Sequence, residues 1–367
     1  AARGRDPALV RVLYFGTYER DYPRNAQVIS CLRAAGVDVV ERHVGVWEGT
    51  RHKWSLGAAA AVRLLAAEAR LLLGRPPEGF DAVIVGYPGQ LDLPAARRAA
   101  RGRPVLFNPL VSLTETLVED RRRFAPGSPA ARALRALDRS ALRGADLVVA
   151  DTEQNAKALT ELGDLPPERV AVCFVGAEER LFRPAWSPPA RFHALFVGKL
   201  IPLHGVETIL AAARLAPDLP FRIVGSGQLD HLLESAPTNV ERVEWIEYDE
   251  LPAAFHASGC ALGVFGTSAK AQRVIPNKAF QALACGAPLV TADTPAAREL
   301  LRDGESALLV PPGDPVALAA AIRRLAGDAV LTRRIGASGL AAYRERASEA
   351  VLGRRWRELV EGAVAGR

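Results

Sequence analysis

Cysteine is scarce in this 367-residue chain. The four residues, Cys31, Cys173, Cys260 and Cys285, lie far apart, with no Cys-x-x-Cys pair and no histidine at zinc-site spacing. That excludes a disulfide-stapled miniprotein and a structural zinc site, and it reads as buried thiols of a reducing compartment. Aromatic residues make up only 6%, and 31 glycines with 26 prolines are too few for a low-complexity or collagen-like chain. No apolar run approaches the roughly 18–20 residues that span a bilayer, and the first residues lack an apolar signal core. A cytoplasmic protein is the expectation. Lysine is rarer than the total of 47 Lys and Arg suggests: only Lys53, Lys157, Lys199, Lys270 and Lys278 are lysines. Each lysine is therefore an informative position.

What is present is a globular composition, 49% hydrophobic and 24% charged, long enough for two domains. The net charge of +6 is uneven: residues 1–184 hold 27 basic against 22 acidic side chains, and residues 185–367 hold 20 against 19. The basic bias of the first half suits an anionic partner such as an acidic membrane surface or a polyanionic substrate. It is too weak and scattered to argue for nucleic acid.

Strand-like apolar runs alternate with helix-length amphipathic segments, the pattern of a doubly wound α/β fold. Strands are expected at 12–16, 37–41, 82–86, 105–108, 147–150 and 170–174, with a helix over 25–35. The series restarts with a strand at 194–197 and continues with a helix over 206–215, a strand at 221–224 and a helix over 228–234. A strand at 260–264, a helix over 277–284 and a strand at 288–291 follow. The segment 182–191, with Pro184, Pro188 and Pro189, reads as the hinge. Domains of 1–184 and 185–367 are expected, with helices over 315–327 and 337–364 and the last returning across the hinge to pack on the first domain.

Ligands of open α/β sheets sit beyond the carboxyl ends of the strands. Four such ends are suggestive here: Gly16-Thr17, Gly198-Lys199, Gly225-Ser226-Gly227 and the approach to Asn277-Lys278. Glycine lets backbone N–H groups approach a phosphate, and a helix start adds partial positive charge. The Gly-x-Gly at 225–227 is no dinucleotide fingerprint, because position 230 is Asp230. Walker A, nucleophile-elbow and Asp-x-Asp sequences are absent, so no metal is expected.

Residues 196–205, Phe-Val-Gly-Lys-Leu-Ile-Pro-Leu-His-Gly, resemble the F-V-G-R-L-x-x-x-K-G segment of the family 4 glycosyltransferases. The likeness continues through 223–227, 276–290 and 299–314, and upstream through 146–153 and Phe182-Arg183-Pro184. It is specific over about 145–325 and loose before that. The resemblance implies the GT-B fold, two Rossmann-like domains facing a cleft. It implies a retaining, metal-independent enzyme that uses a nucleotide-diphosphate sugar, with UDP or GDP as carrier, and no cofactor. The family's diphosphate-gripping basic pair falls on Lys199 and His204. Lys278 and Asn277, at a helix start, suit the same anion. The family's Glu-x7-Glu pattern is broken: Gln281 stands at the second glutamate and Arg273 eight residues before it. Gln281 can still bond a ribose hydroxyl, and Arg273 would add a cation.

By position, Trp245 and Ile246 should flank the nucleobase, with Gly16, Thr17, Gly198, Gly225 and Gly227 near the donor. On the acceptor side, Asn108 stands after a strand where the family often has a histidine, which makes it a candidate catalytic residue beside Lys199 and His204. Glu115 and Asp120 read as solvated helix positions. The acceptor is expected to be a hydroxyl of a glycan, glycolipid or small molecule, in cell-surface polysaccharide or glycolipid synthesis. Arg132, Arg135, Arg139 and Arg143 share a helix face. With Arg51, Lys53 and the amphipathic stretch 56–73 they could place the protein peripherally on the inner, anionic membrane face. Two alternatives stand beside the transferase: a nucleotide-sugar epimerase of the same fold, and a catalytically silent nucleotide-sugar-binding partner.

Overall fold

The computed structural model describes residues 10–20, 22–46 and 58–366. The chain divides into two compact units, residues 1–175 with 349–367 and residues 176–348. The division falls at 175/176 rather than at the expected 184/185. Phe182 is the reason: its buried ring packs edge-on against Tyr248 and Phe255, which commits the segment after Val175 to the second unit.

The first unit runs β1 (Arg11–Gly16), α1 (Pro23–Ala34), β2 (Asp38–His43), α2 (Ala58–Leu73), β3 (Ala82–Val85) and α3 (Leu93–Ala100). It continues with β4 (Val105–Phe107), α4 (Pro129–Gly144), β5 (Leu147–Ala150), α5 (Glu153–Gly163) and β6 (Val170–Val172). All strand pairs are parallel, in the order β2-β1-β3-β4-β5-β6. Strands such as Ala82–Val85 are buried along their whole length, because helices cover both faces of a parallel sheet.

The second unit runs β7 (Ala194–Val197), α6 (Val206–Leu215), β8 (Phe221–Val224), β9 (Val240–Val243), α7 (Leu251–Ala257) and β10 (Cys260–Leu262). It ends with α8 (Asn277–Cys285), β11 (Leu289–Ala292), α9 (Pro295–Arg298), β12 (Leu308–Val310), α10 (Pro315–Gly327) and α11 (Ala329–Arg346). The order β12-β11-β10-β7-β8-β9 is the doubly wound 3-2-1-4-5-6 arrangement of nucleotide-binding sheets. Its winding reverses between β7 and β10, and that of the first unit between β1 and β3.

The expected helix over 337–364 is two helices. α11 stops where Ala347 leaves helical geometry (φ −136°, ψ 7°), and α12 (Glu349–Ala365) begins after Ser348 and belongs to the first unit. There Trp356 is buried in the cluster that also holds Val28, Leu32 and Tyr14. Gly353 permits the close crossing of α1, since a Cβ there would meet the Cys31 carbonyl oxygen at 2.6 Å. The helix expected over 228–234 is a 3-10 turn at Asp230–Ser235. Its start is tied back by the Leu229 N–H, which donates to the Leu200 carbonyl. The edge strand β9 escaped the sequence reading because its Val-Glu-Arg-Val run is half solvated.

Candidate active site

At the reversal point of the second sheet, β7 gives way to Gly198, whose φ of +146° lies where side chains are strained. A Cβ there would also stand 2.9 Å from Lys278 Nζ and 3.3 Å from the His204 ring. The glycine therefore brings a lysine and an imidazole onto one strand end. Gly225, ending β8 at φ +135°, approaches closer still, since its Cβ would lie 2.0 Å from the Gly198 carbonyl oxygen. Gly227 lies against the Leu200 backbone, so the turns after β7 and β8 are packed main chain on main chain.

His204 closes a 3-10 turn, Pro202–His204. Its Nδ1 lies 2.5 Å from the Lys199 carbonyl oxygen. A carbonyl only accepts, so Nδ1 carries the proton. Nε2 of the neutral ring is then a lone pair, and it can donate to an anion only as imidazolium. The ring stands edge-on to Phe196, centroids 5.6 Å apart.

Lys278 occupies the first turn of α8 behind Pro276, which caps the helix with no side-chain acceptor. The lysine is buried, its ammonium has no hydrogen-bond partner, and Nζ lies 3.7 Å above the Phe196 ring. Burial holds its pKa well below the usual lysine range, since a charged amine loses hydration that nothing fully replaces. One turn on, Gln281 is buried against Tyr248, whose hydroxyl burial raises to about 12. Arg273 and Lys270 lie in the turn before α8, joined by the Arg273 N–H donating to the Lys270 carbonyl at 3.0 Å. Trp245 follows β9, is 52% exposed, and donates its indole N–H to Glu247. Ile246 beside it is half-buried. Lys278 and His204 thus both stand against Gly198 and the Phe196 ring.

Gly16 and Thr17 belong to the first unit. Gly16 repeats the Gly198 geometry (φ +135°), but a Cβ there would meet Asp92 Oδ2 at 2.2 Å, and the Thr17 N–H donates to that same oxygen at 3.0 Å. The expected phosphate cradle is filled by the protein's own carboxylate. Glu68 faces Asp92, and its pKa is raised to about 9, by burial first and by the neighbouring Asp92 next. A buried carboxyl beside another is disfavoured as a second negative charge.

Asn108 is not a surface group. It is fully buried, and its Oδ1 accepts from Arg24 Nε (2.9 Å) and Nη2 (2.7 Å). Arg24 also donates Nη1 to the Cys173 and Phe174 carbonyls and lies over the Trp356 ring. Asn108 therefore serves as acceptor for an internal guanidinium and is enclosed rather than presented at a strand end. Asp120, expected to be solvated, is buried at the end of a π-helical turn, Glu115–Asp120. Sequence reasoning missed Arg24, Glu68 and Asp92 because their partners lie tens of residues away; the sole local signal was Pro23 opening a helix.

The four arginines of α4 are exposed, but two are engaged. Arg139 and Arg143 donate to the carbonyls of Leu162 and Gly163, where α5 ends. Arg51 and Lys53 lie outside the described residues. No helix among those residues is long and apolar enough to cross a membrane.

Residues 191–328 match the family model described as glycosyl transferases group 1, and residues 1–176 match the glycosyl transferase 4-like domain. The chain belongs to this glycosyltransferase family. It is similar to the D-inositol 3-phosphate glycosyltransferase of Streptomyces bingchenggensis, 28% identical over 280 residues, which are 65% of this chain and 58% of that protein. The chain thus spans less than two thirds of that relative's length. Among solved structures, sucrose-phosphate synthase from Thermosynechococcus elongatus superposes with a TM-score of 0.74 at 18% identity, covering 98% of this chain and all of the other. The Anabaena protein HepE in complex with UDP-glucose gives 0.66 at 16% identity, covering 96% and 99%. At such identity these structures establish the fold, two doubly wound parallel sheets of the GT-B kind.

Proposed function

We propose that the protein transfers a sugar from a nucleotide-diphosphate donor to a hydroxyl acceptor, with retention and without a metal ion. The observation that carries this reading is Lys278: a buried amine with no hydrogen-bond partner, set at a helix start against Gly198 and His204. A preplaced cation costs stability in the empty protein and is matched when an anion arrives. As the donor's glycosidic C–O bond breaks, negative charge builds on the departing diphosphate. Lys278, the first-turn N–H groups of α8 and the His204 imidazolium then stabilise it. The acceptor oxygen attacks the same face, and its proton passes to the leaving phosphate oxygen, so no protein carboxylate is required. Lys199 and Arg273 add positive charge, Gln281 takes a ribose hydroxyl, and Trp245 and Ile246 border the base. The UDP-glucose complex of the structural neighbour supports a uridine carrier, and the name of the inositol-phosphate relative supports a small polyhydroxylated acceptor.

Gln281 and Arg273, standing where the family has glutamates, favour a second reading, a nucleotide-sugar binder without turnover. Thermal shifts with UDP, GDP and their hexose conjugates test the site itself. A ligand at 100 times its Kd adds about 2.7 kcal/mol of stability. Absence of any shift with all of them would remove the donor site from the account.

A further inference from the structure

Helix α2 is apolar on two sides. Ala67 and Leu71 face inward and are buried. On the opposite side Val62 is 65% exposed, Leu65 67% and Leu73 78%, with Leu72 beside them. At 3.6 residues per turn these four, with Ala66 and Ala69, fall within about a third of the helix circumference. A helix apolar all round is ordinarily enclosed, and an open apolar ridge of this length marks a contact surface.

Arginines border the ridge. Arg63 and Arg70 flank it on α2, and both are exposed. At its C-terminal end a groove of about 520 Å³ opens between α2 and α3, lined by Leu72, Leu73, Arg75, Arg98 and Arg101. The carboxylates closest along the chain leave Arg98 and Arg101 uncompensated: Glu78 pairs with Arg75 at 3.3 Å and neutralises that arginine alone, and Glu68 turns inward to Asp92. Among the described residues, Arg98 and Arg101 have no carboxylate partner. We infer that the outer face of α2, with the Arg98–Arg101 groove, seats the first unit on an anionic lipid bilayer.

Only an anionic amphiphile matches both halves of this surface. A soluble phosphate would use the arginines and leave the leucines in water. A second copy of the chain would bury the leucines but bring like charges together. A bilayer carrying anionic headgroups takes the apolar ridge at the acyl boundary and the guanidinium groups at the phosphates. The surface is independent of the α4 arginine row and of the donor-site reading.

Co-sedimentation of the full chain with phosphatidylcholine vesicles, with or without phosphatidylglycerol, tests the assignment. The protein should bind only the phosphatidylglycerol-containing vesicles, and added salt should weaken that binding. The double variant Arg98→Gln/Arg101→Gln should bind about 30-fold more weakly, at about 1 kcal/mol per arginine. Leu65→Gln/Leu73→Gln should lose on the order of tenfold or more. Both pairs are solvent-exposed, so their melting temperatures should equal the parent's. No binding at low salt, or equal binding to pure phosphatidylcholine, overturns the inference. So does glycerol phosphate in solution binding as tightly as vesicles, or a concentration-dependent dimer that the leucine variant abolishes.

Discussion

Replacing Lys278 by methionine should make the empty protein more stable and the donor complex weaker, two effects of opposite sign from one atom. Nζ is buried with no hydrogen-bond partner, and it lies 3.7 Å above the Phe196 ring. An unsatisfied buried polar group costs about 1–3 kcal/mol, and a cation over a ring returns about 0.5–2 kcal/mol. The net relief on substituting an unbranched apolar chain of similar length is therefore about 1 kcal/mol. For a unit of this size that raises the melting temperature by about 2–4 °C. The gain should depend on pH. Lysine 278 has a native pKa below its ordinary 10.5, so unfolding takes up a proton between those two values. Parent stability falls as pH is lowered through that window and levels off beneath it, while the variant lacks the slope. Donor affinity should drop by about 10- to 150-fold, the range of one charge-assisted hydrogen bond of about 1.5–3 kcal/mol. Differential scanning calorimetry across pH, with calorimetric titration of UDP and GDP, reads both effects. A variant that melts lower than the parent and binds the nucleotides equally well refutes the reasoning.

Three further substitutions have definite outcomes. For His204, donor affinity in the parent should weaken as pH rises, because Nδ1 is committed to the Lys199 carbonyl and Nε2 donates only when protonated; His204→Lys should hold its affinity at high pH, and titrations at several pH values that stay flat in both proteins defeat this. Gly198→Ala should destabilise the second unit by about 1–3 kcal/mol through a strained φ and displace Lys278, abolishing nucleotide binding; an alanine variant with parental melting and binding contradicts the packing. Asn108→Ala should cost stability, on the order of 3 kcal/mol or more, by stripping acceptors from the buried Arg24; urea unfolding that shows no loss would return Asn108 to the list of substrate-contacting residues.

Much of the architecture was legible because parallel strands covered on both faces are written as short unbroken apolar runs. Ala194–Val197, Phe221–Val224 and Leu147–Ala150 stand where the sequence placed them. The reading failed where a boundary depends on distant packing. Ala347-Ser348 has no helix-breaking residue, and the chain bends there because Tyr343 is anchored on one unit and Trp356 on the other. The Gly198–His204–Lys278 cluster was legible in outline, since strand-end glycines and rare lysines are local signals. Asn108 and Gly16 were misread for one reason: each looks like an open strand-end group, and each is occupied by a side chain from another element, Arg24 or Asp92. No periodicity encodes such a partner.

The most direct test of the account is acceptor-dependent release of free nucleoside diphosphate from UDP- and GDP-hexoses, with inositol phosphates and simple polyols as acceptors, in the presence of excess chelator. The account predicts release that requires both substrates, persists in chelator and collapses in Lys278→Met. Nucleotide binding without release under any pairing, or release that appears only when a divalent metal is restored, would contradict it.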